Sequence, residues 1–511
     1  TNGPEGERED MQEILLRRIS ATLACIIVLI LIACSGGGSS SGGGGENAYT
    51  LRGSLTGLSA GQSVSLQDDG GDQLTLNANG AFSFPTRLVA GTAYTVTVQS
   101  HTPGIACSVS NGTGTVGSSN GTGIGVSCTA GTERTLYSFG ANATDGQQPY
   151  AGVMIDSAGN LYGTTQNGGV SGLGTVFRIT AAGTETILHS FGTTATDGQI
   201  PRASVVMDKA GNLYGTTSKG GPYQLGTVFK IDAAGTETIL YSFGSRPSDG
   251  EFPEGNLIID SAGNLYGTTT SGGTWGSGTV FRIDPAGTAT ILHSFGIGNT
   301  DGAEPYGGLL MDAAGNLYGT TGQGGAYFEG TAFRLSPDGT ETILHSFGPT
   351  VTDALVPTPG LVMDSAGNLY GTTSQGGANV SGTVFKIDPA GTTTILYSFF
   401  PTPTDGRWPA PYAGLIMDTS GSLYGTTSNG GANYLDNIQR GDGTVFRVSA
   451  AGAETILHSF GTGATDGLSP FGGLTIDNAG NLYGTTVNGG ANFGTITNGL
   501  VNGGGTVFVI D

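Results

Sequence analysis

One phrase returns seven times in this chain. Asp-x-x-Gly-Asn-Leu-Tyr-Gly-Thr-Thr begins at Asp156, Asp208, Asp260, Asp312, Asp364, Asp418 and Asp477, in steps of 52, 52, 52, 52, 54 and 59 residues. Only the sixth copy departs, with Ser422 in place of Asn. A period near 50 residues is the mark of a propeller or a solenoid. Each copy holds four strand patterns. In the third they are Asn256–Asp260, Asn264–Thr269, Gly278–Asp284 and Thr290–Phe295. Four strands with a turn after each make a propeller blade, and a β-helix coil is shorter. Most of the 95 glycines among 511 residues fall in or beside such turns, seven more lie in the segment from Gly36 to Gly45, and only 11% of residues are charged. Such a composition excludes helical bundles and coiled coils. The net charge of −21 excludes a nucleic-acid binder, which needs basic patches for phosphates.

The ends of the array predict how it closes. It starts with a lone fourth strand, Thr135–Phe139, and ends after a third strand, Gly505–Ile510. The expectation is an all-β, seven-bladed propeller over residues 135–511, closed by sharing one blade between both ends. Closure removes the open sheet edges.

Residues 48–130 alternate polar and apolar over short runs such as Tyr49–Leu55, Ser63–Gln67, Ala81–Phe84 and Ala93–Gln99. They predict a small antiparallel β-sandwich. This segment resembles modules of bacterial surface lipoproteins, which implies a spacer or adhesion part. Asp68, Asp69 and Asp72 read as a hairpin turn, with calcium as the alternative.

The N-terminus carries an address. Met11 reads as the start, followed by Arg17, Arg18 and an apolar run from Ile19 to Ala33. The run is short for a membrane span and fits a signal peptide over residues 1–33. Leu31-Ile32-Ala33-Cys34 resembles a bacterial lipobox, which implies cleavage before Cys34 and lipidation of its thiol. Residue 35 is Ser, not the Asp of inner-membrane retention, so an outer-membrane anchor is expected. An uncleaved N-terminal anchor is the alternative. Residues 34–47 then form the lipidated Cys and a Gly/Ser tether. With Cys25 and Cys34 accounted for, Cys107 and Cys128 remain to pair in an exported compartment.

The repeat phrase, with Pro-x-x-Gly-Leu before it and Gly-Gly, Gly-Thr-Val-Phe and Ser-Phe after it, resembles the bacterial tandem repeat called GloVer, of Gloeobacter/Verrucomicrobia type. The resemblance covers residues 135–511. It implies exported, anchored proteins and no defined activity. The Asp-x-x-Gly-Asn-Leu-Tyr turn has a weaker likeness to NHL and gluconolactonase-type propellers.

Residues that keep the symmetry read as structure. The repeated Asp predicts an Asx-turn. Asp145, Asp197, Asp249, Asp301, Asp405 and Asp466 open Asp-Gly turns, with Asp353-Ala354 in the fifth copy. His189, His293, His345 and His458 alternate with Tyr137, Tyr241 and Tyr397 on the fourth strand. That exchange reads as surface packing, and no metal site or cofactor is expected.

Residues that break the symmetry are the better functional candidates, because rigid scaffolds carry function on their loops. Between second and third strands these are Tyr223, Trp275, Tyr327, Phe328, Tyr434 and Phe493. Between fourth and first strands they are Tyr150, Arg202, Glu254, Tyr306, Trp408, Tyr412 and Phe471. Aromatics on one rim suit a glycan or an envelope protein. The expected function is a monomeric, lipid-anchored, non-catalytic binding or adhesion module. The alternative is an extracytoplasmic lyase, hydrolase or lactonase, drawing its acid and base from Glu251, Glu254, Glu304, Glu329 and Asp442.

Overall fold

The computed structural model describes residues 47–511, apart from residues 70, 121–122, 299, 351, 359, 401–404, 411–413, 433–441, 464 and 493–503. Every regular element among them is a β-strand. No helix among them is long and apolar enough to cross a membrane. The signal segment, Cys34 and the tether lie outside the described residues apart from Asn47.

The first strands form two four-stranded sheets. One has the order Gly80–Val89, Ala48–Thr56, Ile124–Ala130, Ile105–Ser110, and the other Gln73–Leu76, Val64–Asp68, Ala93–His101, Thr113–Thr115. Leu51, Leu55, Val64, Leu66, Phe84, Val96 and Val126 fill one core between them. The expectation of purely antiparallel pairing fails at one place. Ala48–Thr56 runs parallel to Ile124–Ala130, with Gly53 opposite Ile124. A parallel pair needs a long crossover, and all the intervening strands supply it. Cys107 and Cys128 face each other on neighbouring antiparallel strands and form a disulfide.

The repeats give seven sheets with one plan. In the third copy Ile258–Ile259, Leu265–Thr269, Thr279–Ile283 and Ala289–Ser294 pair in sequence order, all antiparallel. A two-residue ribbon that the sequence did not announce, Gly250–Glu251 with Ser271–Gly272, extends the second strand. In the fifth and sixth copies this ribbon merges into the main sheet. The seventh sheet takes its fourth strand from the other end of the array. Thr506–Ile510 pairs with Glu133–Ser138.

The phrase Leu-Tyr-Gly-Thr-Thr is a packing requirement. Gly267 sits directly opposite Phe281 on the neighbouring strand. A Cβ on Gly267 would lie 2.7 Å from the tip of that ring. The equivalent glycines 163, 215, 319, 371, 425 and 484 show the same approach, at 2.5 to 2.7 Å. Each such Phe meets, edge on, the Phe that ends the preceding sheet. Phe243 and Phe281 are 5.1 Å apart and both are buried. The series runs from Phe139–Phe177 to Phe460–Phe508. Full burial of each ring stabilises by roughly 2–3 kcal/mol.

Seven apolar clusters each span two consecutive sheets. One joins Val507 of the last sheet to Phe177 and Leu161 of the first. Low charge follows from this, since both faces of every sheet are covered.

Candidate functional site

The repeated Asp does what the turn chemistry predicts. Asp260 Oδ1 accepts from the backbone N–H groups of Ala262 and Asn264. Its Oδ2 accepts from Asn264 Nδ2 and from the Tyr266 hydroxyl. Burial works against the charge, yet the bonds from Asn264 and Tyr266 hold this carboxyl below its usual range. A carboxylate with four donors is saturated, and it is a structural clasp.

Asp68 and Asp72 are likewise engaged in their hairpin. Asp68 Oδ1 accepts from the Asp72 N–H, and the Asp72 carboxylate accepts from Thr86 N and Oγ1.

The four histidines are not on the surface, contrary to the sequence reading. The His189, His293 and His458 side chains keep 16%, 11% and 16% exposure. They stand between consecutive sheets, because the Asp-Gly turn folds its Asp inward. Asp145, Asp197, Asp249, Asp301, Asp405 and Asp466 are all buried. Asp301 Oδ2 accepts from the N–H groups of Gly296 and Ile297, both at 2.7 Å. The Tyr or His beside these six turns therefore meets a buried carboxylate, and His345 meets the half-buried Asp353. Tyr397 donates to Asp405 Oδ2 at 2.8 Å.

The symmetry-breaking residues separate into groups. Arg202, Glu254 and Tyr306, from the segments before three successive first strands, line one cavity of about 280 Å³. Gly360 and Gly414 of two further copies line it too. Arg202 Nη1 donates to Glu254 Oε1 at 2.8 Å, with the carboxylate only 12% exposed. Burial pushes the Glu254 carboxyl up, against the pull of Arg202. The Tyr306 hydroxyl donates to Glu304 Oε2 at 2.5 Å, and Gln323 Nε2 donates to the same oxygen.

Two members of this cavity escaped the sequence reading. Ser204 and Asn256 stand where five copies of Pro-x-x-Gly carry glycine, at 152, 308, 360, 414 and 473. Asn256 Oδ1 accepts from the Ser204 N–H at 2.7 Å. The signal was available as a broken glycine.

The other candidates lie elsewhere. Tyr150 stacks on Phe471, centroids 5.6 Å apart. Phe471 and Trp408 line a second cavity of about 500 Å³, where the Arg407 guanidinium lies 4.2 Å over the Trp408 ring. Tyr223, Trp275, Tyr327 and Phe328 are exposed, on the loops of three copies, with Tyr327 and Phe328 side by side on one of them. Trp275 borders an open groove with Arg246 and Ile297. Tyr412, Tyr434 and Phe493 lie outside the described residues, as does most of the two long loops that hold the last two.

Of the acid/base candidates, Glu254 alone lines the first cavity. Among its described lining residues there is no second carboxylate.

The molecule is thus an all-β protein built from repeated four-strand sheets around polar and aromatic segments that converge between them. The chain belongs to the family of the Gloeobacter/Verrucomicrobia repeat, whose model matches residues 93–323, 186–363 and 306–511. No curated protein matches it. Among solved structures it is similar to the extracellular domain of a protein described as a hybrid two-component system from B. thetaiotaomicron. That match has 13% identity and a TM-score of 0.47, and covers 79% of this chain and 44% of the other. It is also similar to a protein described as a 6-phosphogluconolactonase from Bacteroides uniformis. There the identity is 18% and the TM-score 0.43, over 67% of this chain and 94% of the other.

Proposed function

We propose that this chain is an exported, lipid-anchored, seven-bladed β-propeller that binds a glycan in the cavity lined by Arg202, Glu254, Asn256 and Tyr306. Cys34 carries the lipid at the outer membrane, residues 35–47 are the tether, and residues 48–130 are a sandwich spacer. Closure by the shared seventh sheet makes the ring rigid. The protein acts as a monomer.

The observation that carries the binding reading is convergence. Segments from five copies meet at one cavity, and only two of them replace glycine with a hydrogen-bonding side chain. The result is a lopsided pocket with a guanidinium, a carboxylate, an amide and one phenol ring. Few, fixed polar groups beside an aromatic wall are how a site orients a sugar. Binding without catalysis is favoured because Glu254 has no carboxylate partner among the described lining residues.

The test is a glycan array on the full chain, followed by titration of any hit. Arg202→Ala with Tyr306→Ala is expected to weaken binding at least tenfold, and Tyr223→Ala with Tyr327→Ala to leave it unchanged. The reverse pattern sinks the cavity and favours the exposed rim. Turnover of a bound sugar that Glu254→Gln abolishes would establish the enzymatic alternative. Lipid-precursor labelling that survives Cys34→Ala would refute the anchor.

A further inference from the structure

Seven junctions between consecutive sheets share one design. A Tyr or His of one fourth strand faces a turn Asp, buried at six junctions and half-buried at Asp353, and both face the residue that opens the next fourth strand. That residue is Glu133, Glu185, Glu237, Glu341 or Glu454 at five junctions, and Ala289 or Thr393 at two.

At the first junction the phenol bridges the two carboxylates. The Tyr137 hydroxyl lies 3.2 Å from both Asp145 Oδ2 and Glu185 Oε2. Where the shorter imidazole meets Glu, a gap remains. His189 Nε2 lies 3.5 Å from Asp197 Oδ1 and 3.9 Å from Glu237 Oε1. His293 Nε2 lies 3.8 Å from Asp301 Oδ1 and 3.7 Å from Glu341 Oε2. Most of these separations are long for a hydrogen bond. His189 Nε2, Asp197 Oδ1 and Glu237 Oε1 are all buried without a hydrogen-bond partner, and Asp197 is only 4% exposed. His458, Asp466 and Glu133 form a third cluster of the same kind.

We propose that these three junctions are divalent transition-metal sites, with zinc the best fit. In each, one imidazole nitrogen and two carboxylate oxygens lie within 4.8 Å of one another. Zinc bonds to such atoms are about 2.0–2.2 Å long, which places tetrahedral ligands about 3.3 Å apart. The imidazole–carboxylate separations of 3.4 to 3.9 Å exceed this by no more than about 0.6 Å, and an ion would draw the two carboxylates of each junction together from within 4.8 Å. Two carboxylates and a neutral imidazole carry two negative charges, which one divalent ion neutralises. Imidazole with carboxylate suits zinc ahead of calcium, which takes oxygen ligands. The ion joins one sheet to the next. The third site ties Glu133, on the strand contributed from the start of the array, to His458 and Asp466.

The protein supplies its own control variants. Tyr occupies the His position in three copies, so His189→Tyr, His293→Tyr and His458→Tyr keep a residue this scaffold accepts. At His345 the Glu is replaced by Thr393, so that junction lacks a ligand. The full chain, loaded with zinc alone and then dialysed, is expected to retain three ions. Each His→Tyr change removes one, the triple variant retains none, and His345→Tyr still retains three. Zinc raises the melting temperature of the native chain and not of the triple variant. Glu237→Gln is a second route to losing one ion with the histidines intact. Zinc retained equally by the triple variant, or not retained by the native chain, overturns the proposal.

Discussion

The Thr485 hydroxyl donates to the carbonyl oxygen of Ala151 at 2.8 Å, across 334 residues of chain. The same bond joins neighbouring copies elsewhere. Thr164 reaches the Ala203 carbonyl, Thr268 reaches Gly307, and Thr426 reaches Gly472. The last copy thus treats the first as its successor.

If the ring closes through this contact, Thr485→Val costs as much as Thr268→Val. Each leaves a buried carbonyl without its donor, at about 1–3 kcal/mol. Urea unfolding of the two variants measures this. A Thr485→Val chain as stable as the native one, beside a weakened Thr268→Val chain, would mean an open array.

Gly267 and Phe281 are predicted to be coupled. Gly267→Ala forces a methyl into the Phe281 ring and destabilises by about 1–3 kcal/mol. Phe281→Leu opens a cavity and costs on the order of 1–2 kcal/mol. Together they should cost clearly less than the sum, since the smaller side chain vacates the space the methyl needs. Strict additivity in a double-mutant cycle would disprove the steric account of the repeat phrase.

Much of this was legible in the sequence because a repeat states its own tolerances. Four strands per copy, the Asx clasp at Asp260 and the Cys107–Cys128 pair all follow from local pattern. What stayed hidden depends on which atoms meet across sheets. The Tyr/His exchange looked like a surface position, since a sequence shows side-chain type and not the inward fold of the Asp-Gly turn beside it. Arg202, Glu254 and Tyr306 stood out as departures from the copies, but their convergence depends on how the successive sheets are set beside one another. Tyr223, Trp275, Tyr327 and Phe328 departed just as visibly and lie outside the cavity those three line.

The sixth copy's own departure has a reason of this second kind. Arg447 is buried, and its Nη2 donates to Ser422 Oγ at 2.9 Å and to the Gly61 carbonyl at 3.1 Å. Gly61 belongs to the first pair of sheets, so the repeat gives up its Asn to let an arginine reach them. Ser422→Asn restores the phrase found in the other six copies. Such consensus changes usually stabilise, but here the larger amide would displace Arg447, so a loss of about 1–3 kcal/mol is expected. Thermal unfolding decides it, and a raised melting temperature would show that Arg447 does not depend on Ser422.

Glu454 sets a pH dependence whose sign can be worked out. Burial pushes its carboxyl from 4.5 up to about 8, and the nearby Asp405 charge adds to the rise. Burial also raises Asp405, although Tyr397 donates to it. The folded state therefore holds the Glu454 proton more tightly than the unfolded chain does. The stability this contributes is complete below about pH 4.5 and is lost as pH rises towards 8. Other junction carboxyls, Glu185 among them at about 7, add to the same slope, so the native curve alone does not isolate one residue. The difference between the native chain and Glu454→Gln does. The amide keeps the shape and cannot ionise, so the variant should gain on the native chain steadily from pH 5 to pH 9. After allowance for solvent screening the gain is on the order of 1 kcal/mol. Parallel stability curves across that range would mean that Glu454 is already solvated when charged, and that the junction is looser than its geometry.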